Sequence, residues 1–208
     1  FIGACVTMNE IGGNEAVRTH YPFLAEAALS VGSKQVRNRA TSVGNIVNAS
    51  PLCDTGTPLY AADAVMCLEG PNGKREVPIR EFITFVRRTV LQKDEIVTGI
   101  KVPYDKDLHG IFTKVARRRE VDLSTICATV ARSGNEWKLA FGAVAPTPVR
   151  LPKTEELLRG KEITGALIDE AAKLARTEVS PIDDVRASKE YRLDVVEVIV
   201  RRSLKALA

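Results

Sequence analysis

Residues 31–64 read VGSKQVRNRATSVGNIVNASPLCDTGTPLYAADA, and this stretch decides how the rest of the chain is interpreted. It is too polar and too often interrupted to form one helix or one strand. Its small residues allow tight turns and a close approach of the backbone to another group. Short polar side chains that can orient a ligand lie among them, at Thr41, Asn45, Asn48, Ser50 and Asp54. The stretch is therefore either a ligand-binding loop or an elaborate surface turn, since both are built from such residues.

Composition narrows the classes of protein to be considered. The 208 residues suit one large or two small domains, and 45% hydrophobic residues can form a sizeable core. A net charge of +4 and 5% aromatic residues give little support for nucleic-acid binding. The four cysteines form no C-x-x-C pair, which argues against a zinc or iron–sulfur site built by this chain alone and against a disulfide framework. We therefore expect a cytoplasmic chain without metal ligands, signal peptide or membrane span.

The polar connector near residue 104 suggests a division into domains 1–104 and 105–208. In the first domain, periodicity and turn signals predict a strand at 1–8, helices after Asn14 and from Pro22, a short helix at 58–62, a hairpin over 65–78, a short helix at 82–86 and a strand at 96–102. Asn72-Gly73 is the turn signal of the hairpin.

The second domain is predicted to begin with strands and to end with helices. The strands cover 111–116, 124–131 and 137–144, and helical periodicity starts at Pro152. In the last helix, Leu193, Val196, Val200 and Leu204 recur at three- and four-residue steps, which indicates a core-facing stripe. The expected fold class is α+β, with a three-stranded antiparallel sheet covered by helices.

The order of the motifs resembles a known family. The first block runs through Gln35-Val36-Arg37-Asn38-Arg39-Ala40-Thr41, Gly44-Asn45-Ile46, Ala49-Ser50-Pro51, Asp54 and Pro58-Leu59. The second runs through Lys114-Val115-Ala116-Arg117-Arg118, Asp122-Leu123, Gly142-Ala143-Val144-Ala145-Pro146 and Ser180-Pro181-Ile182-Asp183-Asp184. Together they resemble the FAD-binding, or medium, subunit of the xanthine dehydrogenase family of molybdenum hydroxylases. One departure is Val43, where the family usually has a glycine.

The resemblance implies a fold and a set of cofactor-binding residues. The chain would hold the second lobe of a two-lobed FAD-binding domain, followed by the family's C-terminal domain. FAD would be contacted by Val31, Thr41, Gly44, Asn45, Ser50, Asp54, Val97 and Lys114. On this view Thr41 and Asn45 bind phosphate or flavin carbonyls, and Gly44 leaves room for the ligand. Without the family, Asp54 fits an Asx turn equally well, Val97 a buried strand position, and Lys114 a solvated strand lysine.

The implied function is electron transfer, with no catalytic acid, base or metal ligand in this chain. Electrons would come from molybdenum–molybdopterin and [2Fe-2S] clusters on partner subunits, reach FAD here, and pass to NAD or another acceptor. The alternative is a non-catalytic docking module, because the family's Ala-Gly-Gly-Thr-Asp-Leu-like pyrophosphate loop does not occur in this sequence. We expect that loop to precede Phe1 in a longer subunit, and we expect residues 1–208 alone to bind FAD poorly.

The strongest run of charge is Arg117-Arg118-Arg119. It is either a solvated edge that discourages strand association, a rim for an anionic nicotinamide cofactor, or a docking patch for an acidic partner. Neither nucleic acid nor a membrane is an expected partner.

Overall fold

The computed structural model describes residues 1–208, which form two four-stranded antiparallel sheets, one small hairpin and ten helices. In chain order the elements are β1 (Ile2–Gly3), α1 (Met8–Gly13), α2 (Glu15–His20), α3 (Pro22–Leu29), α4 (Lys34–Arg37), α5 (Ser42–Val47), α6 (Gly56–Ala61), β2 (Val65–Gly70), β3 (Gly73–Pro78), α7 (Ile79–Phe82), β4 (Ile83–Phe85), β5 (Arg88–Thr89), β6 (Ile96–Lys101), β7 (Leu108–Val115), β8 (Ile126–Ser133), β9 (Glu136–Gly142), β10 (Val149–Arg150), α8 (Pro152–Leu158), α9 (Gly165–Thr177) and α10 (Lys189–Leu207).

The first sheet has the strand order β1-β6-β2-β3. The expected hairpin pairs β2 with β3 in continuous register from Val65 and Pro78 to Gly70 and Gly73. Gly73 has a φ of +107°, a backbone conformation open mainly to glycine, which explains why Asn72-Gly73 closes the turn. The expected strand at 96–102 is β6, which lies between β1 and β2.

Two expected elements differ from the structure. The strand predicted at 1–8 is only β1, because Thr7 and Glu10 form a capping box that starts α1 at Met8. The helix predicted at 82–86 is also wrong, since α7 ends at Phe82 and β4 follows it. Arg87 has a φ of 59° and turns the chain into β5, which a helix could not accommodate.

The organising stretch contains three short helices, of which α6 corresponds to the predicted helix at 58–62, and α4 and α5 were not predicted. Ser33 and Thr41 cap α4 and α5 by accepting hydrogen bonds from the N–H groups of Val36 and Gly44. Such caps satisfy backbone donors that short helices leave unpaired. The stretch is thus a folded scaffold, in which each polar side chain has a defined direction.

The second sheet has the strand order β10-β9-β8-β7. The three predicted strands are β7, β8 and β9, and the short edge strand β10 is the addition. Helices α8 and α10 pack on this sheet, and α3 and α6 from the first segment also pack on it. Because it is covered by helices of both segments, β8 is buried from Ile126 to Ala131. The predicted α10 stripe is buried at Val196, Val200 and Leu204.

The larger hydrophobic core crosses the expected domain boundary. Phe23 and Leu59 of the first segment share one cluster with Leu108 and Phe112 of β7. The division at residue 104 remains a prediction, but the two segments bury apolar surface against each other. No helix combines the length and apolar composition needed to cross a bilayer.

A bidentate ion pair ties β3 to the start of β6. Arg75 donates to Glu95 from Nε at 2.6 Å and from Nη2 at 2.7 Å, and the Gln92 N–H donates to the same carboxylate at 2.8 Å. The guanidinium of Arg75, with help from this N–H, lowers the pKa of Glu95 to about 2.

We expect Glu95→Gln to lower the urea midpoint of unfolding at pH 7. The pKa of Glu95 is depressed in the folded state, so its stabilising contribution is present above about pH 4.5 and is lost as the pH falls towards 2. Urea titrations of both proteins should therefore converge at low pH. Glu69→Gln is the matched control, since Glu69 pairs with the exposed Lys74 across the same hairpin at 3.6 Å. Equal effects of the two substitutions at pH 7 would contradict the prediction.

Candidate functional site

Helix α5 presents the first group of predicted site residues. Thr41 is its N-cap, and the Thr41 hydroxyl accepts from the Gly44 N–H at 3.0 Å while its backbone bridges to Thr7. The Ser42 hydroxyl is buried and has no hydrogen-bond partner within the chain. At Gly44, an added Cβ would meet only the Thr41 Oγ1, at 3.0 Å, and would otherwise face open space. An orphaned hydroxyl and an open glycine fit a polar ligand at this end of α5.

The side chains of Asn45 and Ser50 are partly used by the fold. The Asn45 Oδ1 accepts from the Thr55 hydroxyl at 2.7 Å and from the Cys53 thiol at 3.0 Å. The Ser50 hydroxyl accepts from the Leu52 N–H at 3.2 Å. These bonds fix the loop between α5 and α6, and they leave the Asn45 amide group and the Ser50 proton as donors.

Asp54 and Lys114 form a buried ion pair at 2.7 Å, which joins the organising stretch to β7. Lys114 Nζ also donates to the Ser30 carbonyl at 3.0 Å, and the Ser124 hydroxyl donates to the other carboxylate oxygen of Asp54. Burial raises the pKa of Asp54, and the charge and hydrogen bond of Lys114 oppose that rise. Lys114 is therefore not a solvated strand lysine, and both predicted site residues belong to one polar cluster.

This cluster borders a cleft of about 750 Å³ between residues 29–37 and residues 114–122. The cleft is lined mainly by polar and cationic side chains, including Lys34, Arg37, Lys114, Arg117, Arg118 and Arg119. Val121, at its rim, has a φ of 53°, an uncommon conformation for a β-branched residue and one that is often found at functional sites. The concave shape and the basic lining suit an anionic ligand.

The structure brings only some of the predicted residues to this cleft. Lys114 lines it directly, and Val31 lies between the lining residues Ser30 and Gly32. Thr41, Gly44, Asn45, Ser50 and Val97 are not among its lining residues. Val97 is buried in the core on β6.

Sequence reasoning missed several residues of the site. Ser124 binds Asp54, and Arg37 donates to the carbonyls of Val31 and Gly32 at 3.1 and 2.9 Å, which holds the turn beside the cleft. Ser30 accepts from Lys114 through its backbone, a role that no side-chain pattern can reveal. Of these residues, only Arg37 could have been found from the sequence, because it lies within the first motif block.

The cysteines near the site are inert thiols. Cys53 and Cys127 are buried and free, and burial raises the pKa of Cys53 to about 12. Nowhere do three or more His, Cys, Asp and Glu side chains form a group that could hold a metal ion. The polar and cationic side chains that line the cleft offer hydrogen bonds and positive charge to a ligand.

Comparison with known proteins agrees with this geometry. Residues 1–105 match the FAD-binding domain of molybdopterin dehydrogenases, and residues 111–207 match the C-terminal domain of the carbon monoxide dehydrogenase flavoprotein. The chain is 33% identical over 208 residues to the putative xanthine dehydrogenase FAD-binding subunit of Escherichia coli, covering 97% of this chain and 71% of that subunit. It is 34% identical over 210 residues to the carbon monoxide dehydrogenase medium chain of Hydrogenophaga pseudoflava, covering 99% of this chain and 73% of that medium chain.

A solved structure extends the agreement to three dimensions. Carbon monoxide dehydrogenase from Hydrogenophaga pseudoflava, in a form lacking the Mo-pyranopterin moiety of the molybdenum cofactor, superimposes with a TM-score of 0.90 at 32% identity, covering 96% of this chain and 71% of that one. The resemblance inferred from the motif order and the α+β fold class are thereby confirmed. The chain belongs to the FAD-binding medium subunits of the xanthine dehydrogenase and carbon monoxide dehydrogenase family of oxidoreductases.

Proposed function

We propose that this chain positions FAD within a cytoplasmic molybdenum hydroxylase complex that passes electrons from partner subunits to NAD or another acceptor. The partner subunits would carry the molybdenum–molybdopterin centre and [2Fe-2S] clusters. The observation that carries the proposal is the basic cleft beside the buried Asp54–Lys114 pair, in a chain whose first 105 residues match an FAD-binding domain. When bound, FAD supplies the redox chemistry, and the chain supplies position and electrostatics.

We propose roles for the residues around α5 and for those at the cleft. Around α5, the cofactor would accept hydrogen bonds from the side chains of Thr41, Ser42, Asn45 and Ser50. Gly44 would leave room for it there. Asp54 and Lys114 would fix charge at the cleft, with Val31 and Val97 as apolar neighbours. The arginines of 117–119 would form a rim that attracts an anionic nucleotide, because clustered cations raise its local concentration.

The substitution Gly44→Ala tests the α5 part of this site. An added methyl group would occupy the open space in front of α5, so we expect FAD affinity to fall at least about tenfold, or 1.4 kcal/mol. The added Cβ would lie 3.0 Å from the Thr41 Oγ1 and would displace this cap slightly, while the higher helix propensity of alanine offsets the cost, so we expect the midpoint of thermal unfolding to change little. Gly165→Ala is the matched control, as Gly165 opens α9 and has nothing within 4 Å of an added Cβ. Flavin fluorescence titration of the full-length subunit measures both, and unchanged affinity in Gly44→Ala would contradict the assignment.

A docking module without a cofactor of its own is the second candidate. It is favoured by the distribution of the predicted residues, most of which do not line the cleft with Lys114. Titration of FAD into the full-length subunit separates the two functions, because sub-micromolar binding would exclude a purely structural role. The substrate that is hydroxylated belongs to a partner subunit under either proposal.

A further inference from the structure

An apolar groove of about 550 Å³ is lined in part by the loop that holds Asp54. Pro51 and Leu52 of that loop line it, together with Phe85 and Val86 of the β4–β5 hairpin and Ile182. Phe85 is 52% exposed and Ile182 is 69% exposed. Large apolar side chains from separate segments rarely converge at a soluble surface unless something covers them.

The wall that carries Ile182 is held rigidly by a buried arginine. Arg192 of α10 is almost fully buried, and it donates to the carbonyls of Ile182 and Thr125 and, at 2.7 Å, to Asp184. Asp184 also accepts from the backbone N–H of Arg186 at 2.8 Å. A preorganised wall loses little conformational entropy on binding, which favours a partner with a fitted shape.

The other walls carry backbone strain. Five residues other than glycine have positive φ values, and three of them lie at or beside this groove: Ala143 lines it, Ala49 lies two residues before Pro51, and Arg87 follows Val86. The Arg87 N–H donates to the Ala49 carbonyl at 2.9 Å, and the Ala143 N–H donates to the Pro51 carbonyl at 2.7 Å. Strain of this kind persists where the surrounding structure enforces it, and it concentrates at functional surfaces.

The charge around the groove selects the partner. Arg87 and Arg88 are exposed next to Phe85 and Val86, and neither pairs with a carboxylate of this chain. Arg117, which lines the basic cleft, donates at 3.2 Å to the carbonyl of Val185, which lies between the groove-lining residues Asp184 and Arg186. Asp184, the carboxylate in the groove lining, is already paired with Arg186 and Arg192. A second copy of this chain would therefore bring unpaired arginines against unpaired arginines, whereas a carboxylate-bordered surface would complement them.

We propose that this groove is the docking site for a partner subunit, which inserts an apolar side chain bordered by aspartate or glutamate. One loop contributes to both the groove and the polar cluster, because Pro51 and Leu52 line the groove and Asp54 binds Lys114, which lines the basic cleft. A partner seated in the groove would therefore contact the loop that holds Asp54. The proposal rests on the proposed function only in taking the partner from the same complex. The groove acts as the anchoring pocket within a larger interface.

The test compares Ile182→Glu with Ile96→Glu in the assembled complex. Ile96 lies on β6 outside the groove and is 65% exposed, so both substitutions place a carboxylate at a similarly accessible isoleucine. Each variant of the full-length subunit is purified with its complex through a tag, and subunit composition is followed by native mass spectrometry during dilution. We expect Ile182→Glu to weaken partner binding about thirtyfold or more, and Ile96→Glu to leave it unchanged. A photo-crosslinker at position 182 should capture a partner peptide with an apolar residue beside a carboxylate.

Several results would overturn the proposal. They are an intact complex in Ile182→Glu, equal losses in both variants, a crosslink to another part of the same subunit, or a crosslink between two copies of this chain. The flavin content of each purified subunit is measured separately by absorbance. Loss of flavin from the wild-type subunit would count against the proposed function. Loss of the partner from Ile182→Glu with flavin retained would support the docking groove and leave the proposed function unaffected.

Discussion

Replacing Lys114 with methionine should destabilise the fold by about 3–5 kcal/mol at pH 8, because it removes one partner of a buried ion pair. Asp54 would keep the hydrogen bond from Ser124 and lose its counter-charge, and the Ser30 carbonyl would lose its donor. Methionine fills a similar volume, so the cost comes chiefly from the uncompensated carboxylate. Urea unfolding of both proteins measures the difference.

The effect should depend on pH with a defined sign. Burial already raises the pKa of Asp54 above its ordinary value, and removal of the ammonium group raises it further. The folded variant then binds a proton more readily than the unfolded chain, so its stability rises as the pH falls from 8 to 5. The double variant Asp54→Asn with Lys114→Met should be more stable at pH 8 than Lys114→Met alone. If the double variant is less stable than Lys114→Met, the uncompensated charge of Asp54 is not the cause of the destabilisation.

Local signals predicted much of the fold. The Asn72-Gly73 turn fixed the β2–β3 hairpin, because only a flexible residue accepts the φ of Gly73. Apolar periodicity predicted the three main strands of the second sheet and the apolar stripe on α10. A buried face requires apolar residues at regular spacing, and this spacing is visible in the sequence. The family followed from the order of short motifs, each of which is weak alone. These features depend on neighbours in sequence or on order along the chain.

Features that depend on distant partners were missed. Lys114 and Ser124 lie 60 and 70 residues from Asp54 along the chain. Nothing in the local sequence of these three residues indicates that they meet. The helix predicted at 82–86 failed because Phe82, Phe85 and Val86 have helical spacing, whereas the turn at Arg87 sets a hairpin. Only the folded chain shows that the predicted cofactor residues lie in separate places, some around α5, some at or beside the cleft, and Val97 in the core on β6.

A second cluster of charge connects the two segments through Arg150. Its side chain is 9% exposed and donates to Glu155 from Nε at 2.5 Å and from Nη2 at 2.9 Å. It also donates to Asp63 at 3.1 Å and to the Tyr60 carbonyl at 3.0 Å. Burial alone would raise the pKa of Asp63, but Lys138, Arg150 and Arg80 together keep it below its ordinary value. Arg150 therefore joins the end of α6 to β10 and α8.

Arg150→Met should destabilise the protein by about 3–5 kcal/mol, because removing the buried guanidinium leaves the largely buried Glu155 without its counter-charge and the Tyr60 carbonyl without its side-chain donor. Arg159→Met is the matched control, since Arg159 also meets two carboxylates, Glu156 at 2.8 Å and Glu136 at 3.5 Å, but is 54% exposed. Its loss should cost about 1 kcal/mol or less, because solvent screens exposed ion pairs. Urea unfolding at low and high salt distinguishes the two, as only the exposed pair should weaken with salt. Comparable losses in both variants would mean that Arg150 does not hold the segments together by buried charge.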